Sequence, residues 1–348
     1  MDTPLALGGI FSGIDYRDKI ASIAAVPAEA IALPASLNTQ LGPVLMQGKI
    51  PACVSHSVVD VLKLYWFKKT GQWIDFSPRF LDILSAEADI PLDGGRRPRT
   101  VFKVAFKQGC CTTKTLPNDV NLSIGEYRNI NSISAEAYTE ALQYKIPGYI
   151  QVALDFNSMR TNIYVYGALS TLFAVGDQMY LPSWSPKDTD PLRTPNPVTS
   201  GHQMTVKGWV DDQYNLLRNE WSESWGVKGE VRYDPKAWSP FVYEAWTPAE
   251  IPDDVATMLR SLPSASNFHY QWNKDLKLGD YNDDVKFVQI ALMILGILQP
   301  IKPEDIGHYG PKTSAAVLAY QQSKRISPTA PNNIGPKTRA ALNKQFAL

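Results

Sequence analysis

The stretch RNEWSESWGVKG, residues 218–229, decides the fold, because it sets an asparagine, two tryptophans and two glycines at the end of a predicted strand. Alternating side chains predict strands at residues 204–209 and 214–218, joined by a turn-prone pair of aspartates. His202 opens the first strand, and Asn219 closes the second, 17 residues later. The stretch therefore supplies Asn219 at one limit of a predicted strand pair, and His202 lies at the other limit.

A predicted helix begins near Cys53, which precedes His202 by 149 residues. Apolar residues recur at helical spacing from Val54 to Trp66, and the pattern stops at the lysines and glycine of residues 68–71. A thiol at a helix N-terminus faces the positive end of the dipole, which stabilises its thiolate. A lone cysteine there is more often a small core residue, so this position gains meaning only with the downstream histidine and asparagine.

Gln47 lies six residues before Cys53 and can serve acyl chemistry. Its side-chain amide can aim an N–H at the developing oxyanion, together with the backbone N–H of Cys53. A histidine takes the thiol proton and returns it to the leaving amine, while an asparagine fixes the plane and tautomer of the imidazole. The combination predicts nucleophilic catalysis by a cysteine.

Three segments resemble papain-like cysteine peptidases, in the same chain order. Gln47 with Cys53 is similar to their Gln-Gly-x-Cys-Gly-x-Cys run, Gly201-His202 with Val206-x-Gly208-Trp209 to their Gly-His-Ala-Val-x-x-Val-Gly-Tyr strand, and residues 218–229 to their Lys-Asn-Ser-Trp-Gly-x-x-Trp-Gly-x-x-Gly block. The resemblance spans residues 14 to 235 or so and implies an α+β, two-lobed fold, with a helical lobe and an antiparallel, β-barrel-like lobe.

The resemblance implies a role for each matched residue. Cys53 is the expected nucleophile, His202 the general acid and base, Asn219 the residue that orients His202, and Gln47 the oxyanion donor. Trp221 is expected to shield the histidine–asparagine hydrogen bond at the edge of the substrate site.

The tripeptide Asp93-Gly94-Gly95 is similar to the family's Asn-Gly-Gly. Gly94 and Gly95, the second above all, are therefore expected to bind the backbone of a peptide substrate. An ordinary surface turn is the alternative reading of this tripeptide.

Four positions depart from the family pattern: Val54 replaces an aromatic residue, Gln203 an alanine, Glu220 a serine, and Ile50 a cysteine that forms a disulfide. Gln203 and Glu220 are expected to reshape the substrate pockets.

The first 46 residues are too few for the inhibitory propeptide of lysosomal relatives. We therefore expect an enzyme that is made active or is controlled by its location.

The last part of the chain resembles the three-helix peptidoglycan-binding domain. The resemblance rests on the run from Leu278-Gly279-Asp280 to Leu295-Gly296, and on two similar segments, Gly310-Pro311-Lys312-Thr313 and Gly335-Pro336-Lys337-Thr338. Each of the two segments puts a proline in the first turn of a predicted helix, where its missing N–H costs nothing. A helical docking or stability domain of the same fold is the alternative.

Charge and composition are those of an ordinary globular protein, with 44% hydrophobic and 20% charged residues. Lys+Arg and Asp+Glu are equal at 34 each, so no net field draws the chain to nucleic acid. No run reaches the roughly 20 apolar residues that span a bilayer, and the N-terminus lacks the pattern of a Sec signal peptide. Three cysteines, among them the neighbours Cys110 and Cys111, indicate folding in a reducing compartment, with no metal site or cofactor expected.

The predicted organisation is an N-terminal arm at 1–45, a papain-like peptidase domain at 46–238, a linker at 239–273 and a peptidoglycan-binding domain at 274–348. The expected function is an endopeptidase, made in the cytoplasm, that acts on peptidoglycan or a bacterial surface protein as an endolysin or a virion-associated lysin of a bacteriophage. A phage or injection-system assembly is a further expected partner. The alternatives are a maturation or effector protease, and a vestigial virion component.

Overall fold

The computed structural model describes residues 6–13, 15, 18, 32–180, 190–251, 268–298, 301, 303–328 and 330–347. The chain divides into two compact units. The first comprises Met1–Ser12 and Ala25–Glu250, and the second comprises Gly13–Ala24 and Ile251–Leu348. The candidate catalytic residues belong to the first unit, and the predicted three-helix module belongs to the second.

The first unit is built around helix α1, Cys53–Thr70, in agreement with the helix predicted from the sequence. It ends at Gly71, which takes a left-handed conformation with φ 73° and donates its N–H to the Phe67 carbonyl. Every residue from Cys53 to Leu64 is buried, because the helix packs on other helices and on the sheet. A helix that is enclosed in this way sets the position of its first residue firmly.

Among the described residues of this unit, six shorter α-helices accompany α1. They are α2 (Pro78–Leu84), α3 (Pro98–Lys107), α4 (Ile124–Tyr127), α5 (Ala135–Gln143), α6 (Phe156–Tyr166) and α7 (Pro235–Trp238). Local side chains start several of them: Ser77 accepts a hydrogen bond from the backbone of α2, and Ser123 with Glu126 forms a capping box on α4. Helices α1, α2, α3 and α5 share one apolar core.

An antiparallel sheet forms the other part of the unit. Its strands are β1 (Leu37–Asn38), β2 (Tyr149–Val152), β3 (Leu169–Val175), β4 (Ser200–Val210), β5 (Tyr214–Arg218), β6 (Glu230–Tyr233) and β7 (Val242–Pro248). The order is β2-β7-β3-β4-β5-β6, and β1 pairs with β4. The predicted strands at 204–209 and 214–218 are confirmed as parts of β4 and β5. Thr205 pairs with Arg218, so the end of β5 lies beside the first half of β4.

Two segments differ from the organisation expected from the sequence. The linker predicted from the sequence includes residues 242–248, yet these residues form β7, which pairs with both β2 and β3. These residues, which end in a proline, form a strand that is buried along most of its length. Residues 37–38 of the expected N-terminal arm form β1. The remainder of the predicted linker includes residues 252–267, which lie outside the described part of the chain.

The second unit contains three main helices, α8 (Asp283–Ile294), α9 (Pro311–Ser323) and α10 (Pro336–Phe346), around its own apolar core. Within the described residues of both units, no helix is long and apolar enough to cross a membrane.

The internal repeat seen in the sequence has a structural counterpart in this unit. Gln289 on α8 donates to the hydroxyl of Thr313 at 3.0 Å, and Gln321 on α9 donates to the hydroxyl of Thr338 at 3.0 Å. Each buried glutamine thus fixes the first turn of the next helix through the threonine of a Gly-Pro-Lys-Thr segment.

Candidate active site

Cys53 is the first residue of α1, and Gln47 lies in the loop that precedes this helix. The backbone N–H of Gln47 donates to the Glu220 carbonyl at 2.9 Å. Its side-chain Nε2 donates to the carbonyl of Ile50 at 3.0 Å. The loop before the helix is thereby tied to the segment that follows β5, which carries Asn219.

His202 and Asn219 form a hydrogen-bonded pair. The distance from His202 Nε2 to Asn219 Oδ1 is 2.8 Å, and the Trp221 ring lies 4.9 Å from the imidazole, centroid to centroid. The other ring nitrogen, Nδ1, is buried and makes no hydrogen bond with any described residue. The pair therefore fixes the imidazole while leaving one nitrogen available for proton transfer.

Two glycines shape the loop that holds Asn219. The N–H of Asn219 donates to the Gly229 carbonyl at 3.0 Å. Gly226 and Gly229 have φ of 59° and 81°, a left-handed conformation that favours glycine. The two glycines of residues 218–229 are therefore needed for the chain to turn back toward Asn219.

Cys53 lies against the strand that carries His202. Its Sγ accepts a hydrogen bond from the backbone N–H of Gln203 at 3.5 Å, so the thiol faces β4 at the residue after the histidine. Cys53, His202, Asn219 and Gln47 have no exposed surface. The structure brings all four predicted residues to one place, in a site that is closed to solvent.

Residues 6–12, here called the cover segment, close the site. The N–H of Gly9 donates to the Gly201 carbonyl at 3.1 Å, and the N–H of Arg96 donates to the Gly8 carbonyl at 2.9 Å. Gln47 Nε2 donates to the carbonyl of Ala6 at 2.8 Å. The cover segment thus contacts both the strand of His202 and the predicted oxyanion donor.

Glycines allow the cover segment to lie so deep. A Cβ on Gly8 would collide with the Pro51 carbonyl, and a Cβ on Gly9 would collide with the side chain of Leu172. A Cβ on Gly95 would in turn collide with the Gly8 carbonyl. Gly95 therefore lies against a peptide backbone, as predicted for a substrate, but here that backbone belongs to the chain itself. Gly94 lies next to it and packs near Ile90.

The far end of the cover segment is anchored by polar side chains. The N–H of Ser12 donates to Glu244 Oε1 at 2.9 Å, and Arg99 donates to the Ser12 carbonyl at 2.7 Å. The cover is therefore held at both ends and along its middle.

Burial sets the protonation of the closed site. It raises the pKa of the Cys53 thiol to about 12, and it lowers the pKa of His202 from 6.5 to about 4. The helix dipole at Cys53 was expected to favour a thiolate, but the cost of removing a charge from water outweighs it here. At neutral pH, these shifts correspond to a neutral thiol and a neutral imidazole in the closed site.

The sequence led us to expect an enzyme that is made active or is controlled by its location, and the structure places the cover segment in the site instead. The segment is held by backbone hydrogen bonds to Arg96 and Gly201 and by the side chains of Gln47, Glu244 and Arg99. Sequence reasoning missed it, although the Gly8-Gly9 doublet, matching Gly94-Gly95 in composition, was a possible signal.

The other reactive side chains have structural partners. His56 is buried, with Nδ1 2.9 Å from the Ala52 carbonyl and Nε2 3.0 Å from Asn118 Nδ2, which is a packing role. Cys110 and Cys111 are buried free thiols, and burial raises the pKa of both.

Comparisons with known proteins agree with this arrangement. Residues 34–237 match the papain family cysteine protease, and residues 281–342 match the peptidoglycan binding domain. A comparison with curated protein sequences returned no match.

Several solved structures share the fold. The chain is similar to xylellain, a cysteine protease from Xylella fastidiosa, with 20% identity, a TM-score of 0.58, and coverage of 72% of this chain and 98% of that one. It is also similar to digestive procathepsin L 3 of Tenebrio molitor larval midgut, with 18% identity, a TM-score of 0.52, and coverage of 67% and 79%. The α+β fold with helical and antiparallel parts, followed by a small helical domain, is thus confirmed.

Proposed function

Because the chain belongs to the papain family of cysteine proteases and carries a peptidoglycan-binding domain, we propose that it is a latent cysteine endopeptidase of the bacterial cell wall. The observation that carries the catalytic part is the His202–Asn219 pair beside Cys53 at the start of α1. The observation that carries the latency is the cover segment.

In the proposed mechanism, His202 Nδ1 takes the proton of the Cys53 thiol. The thiolate attacks the scissile carbonyl, and His202 then gives the proton to the leaving amine, which breaks the peptide bond. Water hydrolyses the acyl-enzyme with His202 as base. Asn219 keeps the imidazole in one plane and one tautomer through its 2.8 Å hydrogen bond.

The oxyanion is assigned to Gln47 Nε2 and the backbone N–H of Cys53. In the closed state, Gln47 Nε2 already donates to a peptide carbonyl, that of Ala6 at 2.8 Å. A substrate carbonyl that replaced Ala6 would meet the same donor. Gly94 and Gly95 would take the substrate backbone in place of Gly8, with Trp221 covering the His202–Asn219 bond.

A substrate can enter only when the cover segment leaves. Its departure would restore water to Cys53 and His202, which reverses the burial that keeps both groups neutral. The cover therefore controls both access and chemistry.

The peptidoglycan-binding domain supports the wall as the place of action. Linking a catalytic unit to a binding unit raises its local concentration on the surface. We propose the peptide part of peptidoglycan, or a protein held in the wall, as substrate, with an endolysin or virion-associated lysin as the biological setting.

The test uses the full chain and its Gly8→Val variant, in which the added side chain should expel the cover segment. Each is incubated with purified peptidoglycan and, separately, with casein under reducing conditions, and new amino termini are counted. Release from peptidoglycan that requires Cys53 supports a wall lysin.

Cleavage of casein alone would redirect the proposal to a maturation or effector protease. No cleavage of either substrate by the opened chain, with the protein still sedimenting with the wall, would leave a vestigial wall-binding protein and contradict the proposal.

A further inference from the structure

A continuous row of buried hydrogen bonds lies beneath the candidate catalytic residues. Gln203 Nε2 donates to Ser170 Oγ at 2.9 Å, and Ser170 Oγ lies 2.9 Å from Ser57 Oγ. Ser57 Oγ lies 2.8 Å from Thr205 Oγ1, which donates to Glu220 Oε1 at 3.2 Å. All five side chains have no exposed surface. We call them the buried polar row.

The hydrogen bonds of the row can run in only one direction. Thr205 has a single hydroxyl proton and donates it to Glu220, so Ser57 must donate to Thr205. Ser170 must then donate to Ser57, and Ser170 in turn accepts from Gln203. The row therefore begins at an amide donor and ends at a carboxyl acceptor, and each hydroxyl donates its one proton to the next residue of the row.

Each end of the row is a chain neighbour of a candidate catalytic residue. Gln203 follows His202, and its backbone N–H donates to Cys53 Sγ. Glu220 follows Asn219, and its backbone carbonyl accepts from Gln47. The two ends are also the two positions where the family pattern has an alanine and a serine, so the row joins two departures that looked unrelated in the sequence.

The middle of the row ties together the elements that bear the site. Ser57 lies on α1, one turn after Cys53. Ser170 lies on β3, and Thr205 on β4, three residues after His202. Any sliding of α1 along the sheet would break hydrogen bonds that no water can replace.

Glu220 also meets a second buried carboxyl. Asp60 lies within hydrogen-bonding reach of Glu220, and neither Asp60 oxygen nor Glu220 Oε2 has another hydrogen-bond donor among the described residues. Two carboxylates in contact cannot both be ionised, so one proton between them satisfies both. Burial raises the pKa of Glu220 well above its usual range, which agrees with a retained proton.

Charged groups on several elements face this carboxyl pair. Arg218 Nη1 on β5 lies 3.8 Å from Asp60 Oδ2, beyond hydrogen-bond length. Lys207 on β4 and Arg218 both contact Glu230 on β6, and Lys63 on α1 is paired with Asp75 at 2.9 Å. Arg218 and Lys63 attract the Asp60 carboxylate, but burial outweighs them and raises the pKa of Asp60.

We propose that the buried polar row, together with Asp60, is a positioning network that keeps Cys53, His202 and Asn219 in register, with Asp60 and Glu220 sharing one proton. The residues of the row contact no substrate and act through their neighbours. The inference rests on the proposed peptidase function.

Thr205→Val tests the network by removing one hydroxyl from its middle at nearly constant volume. In the full-length Gly8→Val chain, we expect kcat on a cleaved peptide to fall about tenfold to a hundredfold, with KM within about twofold. Thr205→Ser restores the hydroxyl and should restore kcat. Thr171→Val, at a buried β3 position whose hydroxyl donates to the Leu169 carbonyl at 3.3 Å, is the matched control.

Glu220→Gln tests the shared proton, because its amide permanently supplies the hydrogen that the pair needs. We expect this variant to remain active and to lose the alkaline decline in kcat that deprotonation of the carboxyl pair causes in the parent chain. An unchanged alkaline limb would overturn the shared proton.

A kcat for Thr205→Val equal to that of Thr171→Val would overturn the network while leaving the proposed function intact. If Thr205→Val does not fold, the kcat of Thr205→Ser and the alkaline limb of Glu220→Gln decide whether the network exists. If the parent chain cleaves nothing, the proposed function fails instead, and the network is judged by Cys53 alkylation, which should slow in Thr205→Val and not in Thr171→Val.

Discussion

Gln289 in the second unit and the polar side chains of the candidate active site differ in how fully they are hydrogen-bonded. In the second unit, Gln289 donates to three acceptors and its Oε1 accepts from the Gly307 N–H, so every polar atom has a partner. In the first unit, Gln47 Oε1, Asn219 Nδ2 and His202 Nδ1 are buried without a hydrogen bond to any described residue. Native proteins rarely leave such groups unpaired. The difference separates side chains that hold a fold from side chains kept ready for a reaction.

The largest expected effect separates two buried cysteines. Cys53→Ala in the Gly8→Val chain should lower peptide turnover by at least about 10⁴-fold, because the nucleophile is lost. Cys110→Ala, which also removes a buried free thiol, should leave turnover nearly unchanged. Rates of a fluorogenic peptide assay measure both, and equal losses would remove the distinction between the two thiols.

The cover segment should account for the next largest effect. Gly8→Val is expected to raise turnover about a hundredfold over the unmodified chain, because its side chain meets the Pro51 carbonyl and shifts the population toward the open site. Gly125→Val is the control, since a Cβ there meets no atom within 4 Å. Equal turnover in all three proteins would refute the closed state.

Gln47→Leu tests the functional side of the comparison. We expect kcat to fall about a hundredfold as an oxyanion donor is lost, with a smaller change in melting temperature than in Gln289→Leu. Steady-state kinetics and calorimetry on the same preparations compare the two effects. A variant that loses stability but retains kcat would make Gln47 a structural amide like Gln289.

Gln289→Leu tests the structural side. Four hydrogen bonds disappear and leave buried partners unsatisfied, so the second unit should lose about 2–3 kcal/mol of unfolding free energy. Retention on sedimented peptidoglycan should fall while turnover of a soluble peptide stays constant. Gln345→Leu, at an exposed position of α10, should change neither property.

The last expected effect concerns acid stability and not turnover. Burial lowers the pKa of His56 and His202 from 6.5 to about 4, so the folded state favours their neutral forms. Their contribution to stability is complete above pH 6.5 and is lost as the pH falls toward 4. Unfolding by urea across this window should show the decline, and His202→Gln should reduce its slope.

The sequence predicted what side-chain patterns encode. Apolar periodicity and the closing glycine located α1, alternation located β4 and β5, and residue spacing brought His202 and Asn219 to one place. The sequence did not predict the cover segment, because most of the groups through which residues 6–12 form hydrogen bonds belong to the backbone, which any sequence supplies.

Two further features depended on contacts distant in the chain. The sequence did not predict strand β7, because Val242–Pro248 is aromatic and ends in proline, and its partner strands are remote in sequence. The buried polar row escaped because Ser57 and Ser170 meet only through the packing of α1 on β3. Ordinary serines carry no signal of such a meeting.

The most direct test of a closed site around a catalytic thiol is the rate at which iodoacetamide labels each cysteine at neutral pH, followed by mass spectrometry. The account predicts that Cys53 reacts slowly in the unmodified chain and quickly in Gly8→Val, while Cys110 stays unlabelled in both. Rapid labelling of Cys53 in the unmodified chain would contradict the closed state, and slow labelling in the opened chain would contradict an activated thiol.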